Sequence, residues 1–192
     1  NIDNKNITLF LGSNFHYVFY PVNPSGELNF IAIMKHELSL EEQKNYRLFI
    51  DDLFIKKVLE KIPLTNKNFL SDLEELKIFP IFVSKDFYKL QNNNIHLIGD
   101  AFFAFPPSFA QGASQSIEDA YELFQSIKNN TEHNFFKNRA NKVKMVNNRS
   151  KLNQFAFHLS NPLSIFFRNI FMKSLVKNKI FLKYYLGKIY KN

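Results

Sequence analysis

The chain has 192 residues, a net charge of +8 and no cysteine. That length suits one domain or two incomplete ones, and the cysteine count excludes disulfides and thiolate metal sites. Five scattered histidines lack the paired spacing of a metal site, and no apolar run reaches the length of a membrane span, so neither a metal nor a transmembrane anchor is expected.

The chain opens on alternating apolar stretches. Ile7–Gly12, His16–Val22 and Leu28–Met34 read as three strands. Gly12-Ser13-Asn14 and Asn23-Pro24-Ser25-Gly26 supply the turns, which predicts an antiparallel meander. Ser39 with Glu42 three residues on is a capping-box pattern, predicting a helix that runs to about Lys61 and stops at Pro63. A short helix around Asn68 to Leu76 and a strand over Lys77 to Val83 are expected next.

Ile95-His96-Leu97-Ile98 is a short apolar run ending in Gly99-Asp100, the pattern of a buried strand that delivers a carboxylate at its C-terminal edge. Pro106-Pro107 then forbids helix and keeps the backbone extended. After Gln111-Gly112, apolar residues at Ala113, Ile117, Ala120, Tyr121, Phe124 and Ile127 follow a helical period. From Glu132 onward the chain reads as mostly helical, with breaks near Pro162 and Gly187.

Charge is unevenly distributed. No acidic residue follows Glu132, whereas thirteen Lys and Arg lie between Lys137 and Lys191. Segments such as Ile165-Phe166-Phe167-Arg168 and Phe181-Leu182-Lys183-Tyr184-Tyr185 interleave aromatics with cations, as helices lying on a membrane surface do. The tail therefore raises one reading, a basic peripheral-membrane or interaction module with no cofactor chemistry, and weak membrane-surface contact. No nucleic acid is expected, since the charge comes without a recognisable binding motif.

Gly99-Asp100-Ala101, Pro107, Ala110-Gln111-Gly112-Ala113 and Glu118-Asp119-Ala120 together resemble the second flavin-binding motif of FAD-dependent aromatic-ring monooxygenases. The look is that of the salicylate-hydroxylase-like branch, which has the p-hydroxybenzoate-hydroxylase fold. One departure is plain: Phe103 stands where that family usually has histidine. Leu11-Gly12, His16, Val18 and Tyr20-Pro21-Val22 resemble the family's substrate-domain strand, and Phe157-His158-Leu159 with Arg168-Asn169 its C-terminal helical segment.

The resemblance implies a mixed α/β (α+β) fold, the C-terminal portion of an FAD/NAD(P)-binding Rossmann-like flavoprotein with an antiparallel substrate-domain sheet and a helical C-terminus. It divides the chain into 1–85, the end of the substrate-binding sheet domain; 86–130, the returning strand and helix of the FAD-binding domain; and 131–192, the helical tail. FAD is the implied cofactor, NAD(P)H the reductant, and the implied partners are O₂ and a small phenolic or quinone-like aromatic.

By the same resemblance Gly99, Asp100, Pro107, Gln111, Gly112 and Ala113 hold the flavin. Asp100 accepts from the ribityl hydroxyls, and the helix opening at Gly112 turns free amides and a positive dipole end toward the flavin pyrimidine edge. His16, Tyr20 and Gln111 are the catalytic candidates. His16 and Tyr20, four apart on one strand, share a face, where an imidazole can take a phenolic proton and a tyrosine can orient the ring. The family's dinucleotide fingerprint needs three closely spaced glycines, and no two of Gly12, Gly26, Gly99, Gly112 and Gly187 are near enough to form it. With Asn1 in place of methionine, the expectation is a piece of a longer, cytoplasmic enzyme whose N-terminal half is missing. Alone, it should be inactive and bind FAD poorly.

Overall fold

Alternation of apolar side chains drives the first part of the chain into a meander. In a computed structural model that describes residues 5–61, 76–87 and 95–190 (side chains of 188 and 190 excepted), strands β1 (Thr8–Gly12), β2 (Phe15–Pro21) and β3 (Leu28–Met34) form an antiparallel sheet in sequence order. A two-residue turn, with Asn14 at φ 63°, sets the β1–β2 register, pairing Gly12 with Phe15. Phe15 lies over Gly12 so closely that a Cβ there would stand 1.9 Å from its ring, so any other residue would require the ring to move aside.

One sheet face is aromatic. Phe10 stacks on Tyr17 at 4.7 Å and Phe19 meets Phe30 at 4.9 Å, cross-strand pairs worth about 0.2–1 kcal/mol each. The other face carries His16, Val18 and Tyr20, with Leu11 and Ile33 opposite His16.

The capping box forms as expected. Ser39 Oγ accepts from the Glu42 N–H at 3.2 Å and the Glu42 carboxylate accepts from the Ser39 N–H at 2.8 Å. The single helix expected beyond it does not form. The segment is instead α1 (Leu40–Lys44), a 3₁₀ turn (Tyr46–Ile50) and α2 (Asp52–Leu59). Asp51 causes the restart: its carboxylate accepts from the Phe54 N–H at 2.9 Å, and an aspartate that caps a new helix cannot continue the old one. Phe49, Phe54 and Val58 form the core here, with Met34, Leu38, Leu48 and Ile78 around them.

Two expected strands are corrected. Neither Lys77–Val83 nor Ile95–Ile98 pairs with another strand among the described residues, and Asp100 opens a short helix, α3 (Asp100–Phe103). An apolar run carries strand propensity, but a ladder also needs a neighbour. Most of the helix expected over Asn68–Leu76 lies outside the described residues.

Beyond this the chain is helical: α4 (Gly112–Lys128), α5 (Glu132–Phe157), α6 (Pro162–Leu175) and α7 (Lys179–Tyr190). Pro162 sits at the first turn of α6, with Asn161 capping the Leu163 and Ser164 amides at 3.0 and 3.2 Å. The break expected at Gly187 is absent, and α7 runs through it. The chain divides into two compact units, Asn1–Ile81 and Phe82–Asn192. The second has a core of Phe102, Phe103 and Val143, with Phe87, Leu97 and Phe136 packed against it. Phe103 is thus a core side chain, 4.7 Å from the Phe87 ring.

Candidate functional site

Gly99 is the pivot of the second unit. Its φ of +60° and ψ of −141° belong to a backbone region that only glycine enters easily. A Cβ there would also stand 2.7 Å from Ser116 Oγ on α4. Its carbonyl accepts from the Phe102 and Phe103 amides, both at 2.9 Å, which starts α3. Its N–H donates to Asp119 Oδ2 at 2.7 Å.

Asp119 is 1% exposed and its other oxygen is also engaged. Arg139 Nε, on α5, donates to Asp119 Oδ1 at 2.6 Å, and the same guanidinium reaches Gln115 Oε1 and Glu118 Oε1, both at 3.0 Å. Lys142 also pairs with Glu118. A buried carboxylate and a buried guanidinium thus satisfy each other and fix α4, α5 and the Gly99 turn in one arrangement.

Within this frame Gly99 is held to α4 by its bond to Asp119, and Ser116 leaves no room there for a side chain. The Ser116 hydroxyl donates to the Gly112 carbonyl one turn earlier on α4, at 3.0 Å. Asp100 is exposed at the first position of α3. Gly112 faces open space among the described residues: a Cβ there would meet nothing within 4 Å, and the Gln111 side chain does not cap the first turn of α4. Gln111 is buried at the N-cap, and its carbonyl accepts from the Gln115 N–H at 2.9 Å. Ala113 is exposed beside it. Pro107 is exposed and opens a 3₁₀ turn (Pro107–Phe109) that ends on left-handed Ala110. That turn is held from below, where Asn153 Nδ2 donates to the Ser108 carbonyl at 3.2 Å and Phe109 meets the Tyr185 ring at 5.6 Å.

The arrangement therefore offers an exposed carboxylate, an uncapped helix start and a rigid proline turn. These fit a ligand with sugar-like hydroxyls and an electron-rich or anionic edge.

His16 and Tyr20 belong to the first unit. They do share a sheet face. His16 is 2% exposed, and the Tyr20 hydroxyl accepts from Asn29 Nδ2 on β3. Among the described residues no group of three or more His, Asp or Glu could hold a metal ion, and no helix is long and apolar enough to cross a membrane.

No protein-family model matches the chain, and no curated protein matches it.

Sequence reading missed Arg139 and the roles of Gln115 and Asp119. A signal was there: Arg139 falls four residues after Phe135 and four before Val143, a cation on an otherwise apolar stripe of α5, and all three are buried.

The helix expected after Gly112 forms as α4. The periodic residues Ile117, Tyr121, Phe124 and Ile127 are between 53% and 72% exposed, while Gln115 and Asp119 are buried. The apolar face of this helix turns outward.

Proposed function

We propose that the chain is the C-terminal part of an FAD-dependent monooxygenase acting on a phenolic or quinone-like aromatic, with NAD(P)H as reductant, in the cytoplasm. The observation that supports this reading is the bond from the Gly99 N–H to Asp119 Oδ2 at 2.7 Å, which ties the Gly99-Asp100 turn to the helix that opens at Gly112, across the intervening loop.

FAD, when bound, supplies the two-electron chemistry: with NAD(P)H as reductant, one atom of O₂ enters the ring as hydroxyl and the other leaves as water. Asp100 accepts hydrogen bonds from the ribityl hydroxyls. The first-turn amides of α4 at Gly112 and Ala113 stabilise negative charge at the pyrimidine edge, and Pro107 keeps the wall beside the ring rigid. Gln111 holds the N-cap that aims those amides. His16, out of reach of bulk water, takes the phenolic proton, and Tyr20 orients the ring with its hydroxyl held by Asn29.

The outward apolar face of α4 and the Ile95–Ile98 segment, which pairs with no strand among the described residues, suit cover by the other half of an α/β layer, which in this reading is the N-terminal, AMP-binding part of the same protein.

The test is isotopic. Protein expressed from the coding sequence extended upstream of Asn1 is given a phenolic substrate, NAD(P)H and labelled O₂. One labelled oxygen in the product supports the reading. NAD(P)H consumption without label in any ring product counts against it.

A further inference from the structure

We propose that α6 and α7 form a docking face for an anionic phospholipid surface, on which the protein lies without crossing it. The face begins with the way α6 is held. Arg168 donates to the Ala156 and Phe157 carbonyls at the end of α5, at 3.3 and 3.4 Å. Ile165, Met172 and Leu175, on the same side of α6 as Arg168, are partly buried.

The opposite side should then be polar if water were its only neighbour. It carries Leu163, Phe166, Phe167, Ile170 and Phe171 instead, three and four residues apart and between 50% and 65% exposed. A helix of 14 residues spans about 21 Å, so these five make one continuous apolar strip. On α7, Ile180 and Tyr184 are four apart and also exposed.

Charge selects the occupant. From Pro162 to Asn192 there are seven Lys and Arg and no Asp or Glu. Lys173 lies at the edge of the strip, and Lys177, Lys179 and Lys183 follow it. Large apolar side chains bordered by cations match the acyl boundary and the phosphate level of an anionic leaflet. A second copy would set cations against cations with no carboxylate nearby to pair them. A nucleic acid would gain phosphate contacts, but Leu, Ile and Phe offer nothing to hydrogen-bond a base edge. No described helix is long and apolar enough to cross a bilayer, which leaves the surface. This inference stands independently of the flavin reading.

The chain has no tryptophan, so Phe167→Trp places a single reporter on the strip. Vesicles of phosphatidylcholine mixed with phosphatidylserine should shift its emission to the blue and carry the protein in flotation. Phosphatidylcholine alone should do neither, and molar salt should weaken binding about tenfold or more. Phe166→Ser with Phe171→Ser should abolish flotation at unchanged far-UV helicity. If that pair fails to fold, Lys173→Glu with Lys177→Glu should still lose the preference for the anionic vesicles. Four results would overturn the proposal: emission unmoved by either vesicle, equal and salt-insensitive binding to both, a blue shift that grows with protein concentration without lipid, or a shift produced by a duplex oligonucleotide.

Discussion

Arg139 Nε donates to Asp119 Oδ1 at 2.6 Å in a setting where both side chains are almost wholly buried, and the second Asp119 oxygen holds the Gly99 N–H. Removing Arg139 strands the Asp119 carboxylate in the interior, and removing Asp119 leaves the buried guanidinium only Glu118, which Lys142 shares. Arg139→Ala and Asp119→Ala should each destabilise the chain by about 3–5 kcal/mol in urea unfolding. The double variant should cost clearly less than the sum of the two, because it leaves no unpaired charge. Strict additivity would mean the pair is not coupled.

Ser150 makes the opposite case. It is fully buried on α5, and its hydroxyl finds no hydrogen-bond partner among the described residues. Ser150→Ala removes a desolvated polar group and adds helix propensity, so it should stabilise the protein by about 1 kcal/mol. A lower urea midpoint would show that the hydroxyl is satisfied after all.

His158 closes α5, and burial lowers its pKa below the usual 6.5. The unfolded chain, titrating near 6.5, binds the proton first as pH falls, so this contribution to stability is intact above about 6.5. It is lost progressively down to the folded pKa and changes no further below it. His158→Gln lacks this loss, so the gap between the urea midpoints of the two proteins should change across that window. Parallel pH profiles would contradict the burial effect.

The sequence made the meander legible because its alternation and its turns agree. Ser39 and Glu42 announced their capping box in the same way. Asp51 was not read as a restart, because an Asx cap inside an apolar period looks like an ordinary solvated residue. The α4 case is more instructive. A 3.6-residue period shows that Ile117, Tyr121, Phe124 and Ile127 share a face, but it does not say which way that face turns. Direction came from Asp119 meeting Arg139 twenty residues later, a pairing that no local pattern carries. Ile95–Ile98 reads as a strand for its composition alone, and a ladder depends on a neighbour as well.

Gly99 and Gly112 should separate stability from ligand binding. Gly99→Ala forces a Cβ into Ser116 at a backbone angle costly for alanine, and should destabilise by about 1–3 kcal/mol. Gly112→Ala meets open space and improves helix propensity, so it should be neutral or stabilising by up to about 1 kcal/mol. In the flavin reading the same methyl crowds the cofactor edge, so Gly112→Ala should weaken FAD binding at unchanged or higher stability. Loss of stability in Gly112→Ala would contradict the open site.

The most direct test is the visible spectrum of the protein expressed with its upstream coding sequence, alongside its Asp100→Ala variant. The account predicts a yellow protein with flavin absorption, and an Asp100→Ala variant whose FAD, followed by fluorescence titration, binds about ten- to a hundredfold more weakly. That magnitude follows from losing charge-assisted hydrogen bonds worth roughly 1.5–3 kcal/mol. A colourless extended protein, or one that holds FAD equally tightly without the Asp100 carboxylate, would contradict it.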